Sequence, residues 1–182
     1  KEHPWLTSAE DTVFAVLLAQ SYKSDDQLLH ETETCYNFLR KFFHSGNAVQ
    51  SLTHVLTLSE GTTEEKCRRF LDLWEKFSGY NPQYLLATLG VVALLDDEIS
   101  VLHDELLTAD RFLRGQKGYG FWGLGKDHRL LHAGMLVTSL HGANAQTVHA
   151  TALNSALATV AAQQAAMCAT IAAASSAAAA SN

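Results

Sequence analysis

Residues 84–95 constrain the fold more than any other part of the chain. They read YLLATLGVVALL and are apolar on every side of a helix. Such a helix is stable only when other elements cover it on all sides, and this one is too short to cross a bilayer. Gly90 has no side chain and permits a neighbouring helix to approach closely. The segment therefore predicts the central buried helix of a helical bundle.

Helical periodicity recurs along the rest of the chain, and only two residues are proline. We predict an all-α fold, with a multi-helix bundle of about seven helices over residues 1–142 and a long alanine-rich helix or tail over residues 143–182. Glycine and asparagine at 45–47 and 141–144 predict breaks between helices. Capping residues or the onset of apolar periodicity predict helix starts near Thr7 or Ser8, Ser24, Ala48, Thr62 or Thr63, the acidic residues 96–98, and Asp127.

The charge and the cysteines narrow the class of protein. The net charge is −6 with no basic cluster, which disfavours a nucleic-acid partner. Cys35, Cys67 and Cys168 are far apart in sequence and form no C-x-x-C motif, which indicates reduced thiols and a cytoplasmic protein. No signal peptide is recognised, and no membrane span is expected.

A glycine-rich segment at 115–131, GQKGYGFWGLGKDHRLL, contains G-x-G-x-x-G and most of a phosphate-binding loop. Such loops follow a strand, whereas a helical pattern precedes this one, and Asp127 stands where the loop requires serine or threonine. A helix–loop–helix connection is the simpler interpretation. The alternative is the rim of a pocket for an anion or small ligand, with the candidate residues Lys117, Tyr119, Trp122, Lys126 and Arg129.

The third predicted helix carries an uncharged polar stripe opposite its apolar face. Asn47, Gln50, Ser51 and His54 follow i, i+3, i+4, i+7 spacing and so share one side. A stripe of neutral hydrogen-bonding groups predicts partial burial, either in a structural network or as a ligand site formed by Asn47, Gln50 and His54.

Motifs for metals, cofactors and nucleophiles are weak. His128 and His132 have i, i+4 spacing, but no third ligand and no H-E-x-x-H motif accompany them, so no metal is predicted. No cofactor is predicted either. The sequence contains no G-x-S-x-G motif and no cysteine with an evident histidine partner, so enzymatic activity stays undecided, with a preference against it.

The alanine-rich segment contains a regular seam. No charged residue follows Arg129, and apolar positions spaced four and three apart predict an a/d helix interface at Leu153, Leu157, Val160, Gln164, Met167 and Ile171. This seam predicts docking or self-association.

Six blocks of the sequence resemble, in the same order, the C-terminal half of an uncharacterised bacterial family of longer proteins. They read HPWLTSAEDTVFAVLLA, NAVQSLTHVLTL, EEKC, YLLATLGVVALL, QKGYGFWGLGKDHRLLHAGMLV and AAQQAAMCATIAAASSAAAAS. Family members show KKQRLM at 126–131, so His128 departs from their pattern, as does His132, where an aromatic residue is usual. The resemblance implies an all-helical cytoplasmic fold and an absent N-terminal half as a possible partner, and it implies no established activity.

Two functional hypotheses follow. The leading one is a non-enzymatic interaction or scaffold module that self-associates or docks through its C-terminal helix. The alternative is a binding domain or enzyme for a small anionic ligand, with its pocket between the Asn47/Gln50/His54 stripe and the 117–129 loop.

Overall fold

The computed structural model describes residues 23–44, 46–119 and 125–144. These ranges form six helices and contain no strand, which confirms the all-α prediction. The helices are α1 Asp25–Leu39, α2 Gly46–Thr57, α3 Thr63–Glu75, α4 Pro82–Ala93, α5 Ile99–Arg114 and α6 Lys126–Asn144. The helix predicted near Thr7 and the alanine-rich segment from residue 145 onward lie outside the described residues.

Helix α4 is the centre of the bundle. Every residue from 85 to 95 is buried, and α2, α3, α5 and α6 all pack against α4. The segment without a polar face is therefore covered on all sides, as predicted.

Two glycines bring α4 close to its principal neighbours. A Cβ atom on Gly90 would lie 2.5 Å from Leu52 Cδ1 of α2. On the opposite interface, a Cβ atom on Gly134 of α6 would lie 2.6 Å from Thr88 Cγ2 of α4. Neither distance is compatible with an unperturbed side-chain packing, so both helix pairs depend on the absence of a side chain.

Local capping chemistry starts two of the helices. Ser24 before α1 and Thr62 before α3 each accept a hydrogen bond from the backbone N–H three residues later. Gln27 and Glu65 reach back to the cap residues and complete the capping boxes. Both start positions agree with the predictions.

Other predicted boundaries are wrong. Gly46 and Asn47, predicted in a turn, belong to α2, and α6 continues through residues 142–144, where a break was predicted. Asp127, predicted as a cap, lies within α6. Glu98 does occupy the N-cap position of α5, but its side chain makes no cap hydrogen bond.

Candidate functional site

Two cationic residues of the predicted loop, Lys126 and Arg129, contact other parts of the protein. Lys126 Nζ donates a hydrogen bond to the Gly79 carbonyl at 2.5 Å and lies 4.7 Å from the centre of the Tyr80 ring. Arg129 pairs with Asp110 at 2.7 Å, and both side chains are only 14% exposed. These cations therefore join α6 to the segment before α4 and to α5.

The remaining loop residues differ in their surroundings. Lys117 is exposed, and Trp122 lies outside the described residues. The hydroxyl of Tyr119 is 2.5 Å from His132 Nδ1, with the two rings edge to face. Burial, followed by the charge of His128, lowers the pKa of His132. A neutral His132 ring can accept the proton of the Tyr119 hydroxyl at this nitrogen.

The side chains of the polar stripe become more buried along α2, from its first turn to His54. Asn47 is exposed, Gln50 and Ser51 are half-buried, and His54 is 4% exposed. Partial burial was predicted, and it holds for all but Asn47. The pocket between this stripe and the 117–129 loop stays a prediction.

A charged cluster lies where α1, α3 and the end of α2 meet, with Lys66 buried and Lys23 and Glu31 partly buried. The Glu31 carboxylate contacts two ammonium groups, Lys23 at 2.7 Å and Lys66 at 3.3 Å. Lys23 and Lys66 each also donate to the Ser59 carbonyl, and Lys23 donates to the Thr57 carbonyl. Lys66 is only 6% exposed, and its burial, followed by the charge of Lys23, lowers its pKa.

Two cysteines lie against this cluster. Cys35 Sγ of α1 and Cys67 Sγ of α3 are 3.3 Å apart, and both thiols are free and buried. The hydrogen bond from Cys67 is the largest influence on Cys35 and lowers its pKa against the opposing effect of burial. The same hydrogen bond and burial raise the pKa of Cys67.

Lys66 also borders a cleft of about 540 Å³. The other lining residues come from the α2–α3 turn, from Arg69 and from the end of α4. Arg69 donates hydrogen bonds to the backbone carbonyls of Ala93, Leu95 and Asp97. These hydrogen bonds hold the Arg69 guanidinium against the end of α4 and the α4–α5 turn. The buried Lys66 forms part of the cleft wall.

In the described residues, an open apolar groove lies between α5 and α6, and we call it the α5/α6 groove. It has a volume of about 680 Å³, and its apolar lining consists of Val101, Ala109, Phe112, Leu136, Val137 and Leu140. Phe112 is 62% exposed and Leu140 is 68% exposed. Asp104 and Glu105 form its acidic edge.

His141 fixes the end of α6 beside this groove. Its Nδ1 is 3.2 Å from Asp97 and its Nε2 is 2.8 Å from Glu105. These contacts hold the groove wall formed by α6 in register with α5. The predicted seam, Leu153 to Ile171, follows α6 in the chain and lies outside the described residues.

Within the described parts of the chain, no three or more His, Cys, Asp or Glu side chains are grouped so that they could hold a metal ion. In the same residues, no helix has the length and apolar character needed to span a membrane.

The described residues form an all-helical domain around a central helix that is buried from residue 85 onward. The family model described as Protein of unknown function (DUF4003) matches residues 1–165. The chain belongs to this family, which confirms the resemblance to an uncharacterised family. No curated protein and no solved structure matches the chain.

Sequence reasoning missed the thiol pair and its charged neighbours. Cys35 and Cys67 stand among the apolar positions of two helical patterns, where a buried cysteine is common and indicates no contact. They are 32 residues apart, so no local spacing reveals their contact. The sequence offers one indication of the pair: two helical patterns each contain a cysteine among their apolar residues, and Lys66 precedes one of these cysteines.

Proposed function

We propose that this domain is a non-enzymatic interaction module whose α5/α6 groove receives the alanine-rich C-terminal segment of a second copy of the chain. The observation that carries this proposal is the open apolar groove. Large apolar side chains such as Phe112 and Leu140 are exposed there side by side, and contiguous apolar surface on a protein marks an interaction site.

The chemistry of the segment supports it as the occupant. Residues 145–182 contain no charged side chain, and the seam from Leu153 to Ile171 offers one apolar stripe. An apolar helix that lies in an apolar groove is a common mode of recognition. The segment also begins directly after α6, the helix that forms one wall of the groove.

The lengths favour a second copy over docking within one chain. At about 1.5 Å per residue, a helical seam from Leu153 to Ile171 is about 27 Å long. The wall of the groove from Val101 to Phe112 is about 16 Å long by the same measure. One groove therefore covers little more than half of the seam. In a two-fold dimer, the remainder can pack against the same segment of the partner.

The decisive experiment is sedimentation of the full chain over a range of concentrations. We expect a dimer for the unaltered chain and monomers for Leu140→Glu in the groove and Leu157→Glu in the seam. Leu29→Glu is the matched control, because Leu29 is an exposed leucine on α1, outside the groove. This control should remain dimeric, and the thermal melts of all variants should begin from the same helical content.

Mixing the two monomeric variants distinguishes a second copy from docking in one chain. In a mixture, the intact seam of Leu140→Glu can occupy the intact groove of Leu157→Glu, so dimers should reappear with one working contact. A wild-type chain that is monomeric at every concentration would refute the proposal. The groove could instead bind only basic amphipathic helices of other proteins through Asp104 and Glu105. That result would refute the C-terminal segment as the occupant of the groove.

We also propose that the module acts in the bacterial cytoplasm. The support is the presence of two free thiols, Cys35 and Cys67, at a distance that an oxidising compartment would close to a disulfide.

A further inference from the structure

The thiols of Cys35 and Cys67 face each other across the α1–α3 interface, 3.3 Å apart and almost fully buried. We propose that this pair is a reversible oxidation site, at which a small hydroperoxide converts the two thiols into a disulfide, with Cys35 as the attacking thiol. The site lies on a different pair of helices from the α5/α6 groove and does not depend on the function proposed for that groove.

The charges around the pair support an anionic sulfur. Glu31 contacts both Lys23 and Lys66, and the three side chains together carry a formal charge of +1. Lys66 is the buried member of this group, and a buried charge is costly unless it is balanced. A thiolate on Cys35 balances it: the hydrogen bond with Cys67 is the main cause that lowers the pKa of Cys35, against burial, and the charge of Lys66 lowers it further.

The two sulfurs have different roles because their surroundings differ. Either sulfur can donate in the 3.3 Å contact, and we assign the S–H to Cys67, because this hydrogen bond lowers the pKa of Cys35 and raises that of Cys67. The thiolate is the nucleophile in thiol chemistry. Cys35 is therefore the attacking sulfur, and Cys67 is the resolving sulfur that already holds the proton needed by the leaving group.

The size of the oxidant follows from burial. Cys35 is 2% exposed and Cys67 is fully buried, so a bulky disulfide such as oxidised glutathione cannot reach either sulfur in the folded protein. The cleft of about 540 Å³ is bordered by Lys66, whose charge acts on Cys35. Neither cysteine lines this cleft, so the oxidant has to pass between packed side chains, and hydrogen peroxide is close to water in size.

The chemistry balances with one hydroperoxide. The Cys35 thiolate attacks the distal oxygen, the O–O bond breaks, and the departing hydroxide takes the proton of Cys67 and leaves as water. Cys35 is then a sulfenic acid. The Cys67 thiolate attacks that sulfur, the S–S bond forms, and the hydroxyl group leaves as a second water once it takes up a proton from solvent. The two thiols lose two electrons, and the peroxide gains them.

The experiment uses the full chain with Cys168→Ser, so that only the two buried cysteines remain. Under native conditions, hydrogen peroxide should remove two hydrogen atoms from the intact mass and join the peptides of Cys35 and Cys67. A phosphine reductant should reverse both changes. Because the bridge closes a loop between residues 32 apart, we expect the Tm of the oxidised protein to rise by about 5–10 °C.

Single variants test the order of attack. In Cys67→Ser, the sulfenic acid at Cys35 has no resolving thiol and should be trapped by dimedone. In Cys35→Ser, Cys67 should not be trapped. Trapping at Cys67 in preference to Cys35 would overturn the assigned order. Lys66→Met should slow oxidation of the intact pair about threefold or more, whereas the exposed Lys41→Met should not change it.

The rate law separates attack on the folded protein from attack on unfolded chains. Oxidation should be first order in peroxide. A rate that is independent of peroxide concentration would mean that unfolding limits the reaction, and it would overturn the proposal. Thiols that stay reduced in the folded protein, or bridges that form only between chains, would overturn it as well.

Discussion

At the scale of single residues, His132 shows how burial sets a protonation state. Its Nδ1 is 2.5 Å from the Tyr119 hydroxyl, and its pKa is lowered by burial and then by His128. The neutral ring accepts the hydroxyl proton, whereas the charged ring has no acceptor to offer. The contact between Tyr119, in the segment after α5, and α6 therefore depends on a neutral His132.

This dependence predicts a loss of stability in acid. Since the pKa of His132 is lower in the folded than in the unfolded chain, the unfolded chain binds the proton more tightly. The stability is complete above the unfolded pKa of about 6.5 and is lost as the pH falls through it toward the folded pKa. We expect His132→Asn, which keeps an acceptor near the position of Nδ1 but does not titrate, to lose less unfolding free energy between about pH 8 and about pH 5.

Urea unfolding at the two pH values measures this difference. Tyr119→Phe serves as a control, because it removes the hydrogen bond and leaves the titrating ring in place. Its unfolding free energy should fall by about 1 kcal/mol near neutral pH. An equal acid sensitivity of His132→Asn and the unaltered protein would contradict the prediction.

At the scale of helices, glycine decides how closely α4 and α6 pack. A Cβ atom on Gly134 would meet Thr88 Cγ2 at 2.6 Å, and a β-branched side chain has few rotamers by which to move away. At Gly46, by contrast, the nearest atom would be the Tyr36 hydroxyl oxygen at 3.9 Å. The same substitution therefore has opposite steric consequences at the two positions.

We expect Gly134→Ala to destabilise the protein. Overpacking costs about 1–3 kcal/mol, and the better helix propensity of alanine offsets at most about 1 kcal/mol of that. Gly46→Ala, with room for its methyl group, should leave the unfolding free energy unchanged or slightly raised. Denaturant unfolding of both variants tests this, and equal stability of the two would show that the α4–α6 contact is not limited by Gly134.

The hydrogen bonds of Arg69 lead to a second prediction about how the helices are held together. It is the donor to carbonyls at 93, 95 and 97, so Arg69→Met should lower the unfolding free energy by about 2 kcal/mol. The neighbouring Arg68 makes an exposed ion pair with Glu64, and Arg68→Met should cost no more than about 0.5 kcal/mol. A smaller loss for Arg69→Met than for Arg68→Met in thermal or urea unfolding would be inconsistent with this role.

The sequence predicted the elements that depend on local chemistry. The burial of α4 follows from its uniform apolar composition, and the starts of α1 and α3 follow from their capping boxes. The errors at 46–47 and 142–144 both lie at helix ends, where glycine and asparagine disfavour a helix by only about 1 kcal/mol and so do not exclude one. The contact between Cys35 and Cys67 depends on how α1 packs against α3, which no local pattern encodes.

At the scale of the whole molecule, the proposed interface consists of the groove and the segment that follows α6 in the chain. The α5/α6 groove leaves Leu136 and Leu140 exposed on the last turns of α6, and the uncharged segment continues from there. The proposed dimer would cover these side chains and the seam in one step. Assembly and the stability of the bundle should then be separable properties.

Deletion of residues 150–182 tests that separation. We expect the shortened chain to be monomeric in light scattering at concentrations where the full chain is a dimer. Its bundle should still melt cooperatively, because α4 is covered by helices that the deletion leaves intact. A shortened chain that remains dimeric would place the interface elsewhere, and one without a cooperative melt would assign the segment to the core.

The three hydrogen bonds of Arg69 also affect which parts of the protein unfold together. A helix end usually frays by itself, since its last carbonyls have no partners within the helix. Here the partner of those carbonyls is a side chain of α3, a different helix. The end of α4 cannot open to solvent while Arg69 is held by a folded α3, so the amide protons of both segments should exchange with deuterium together. α3 and the second half of α4 then form a single unit of local unfolding.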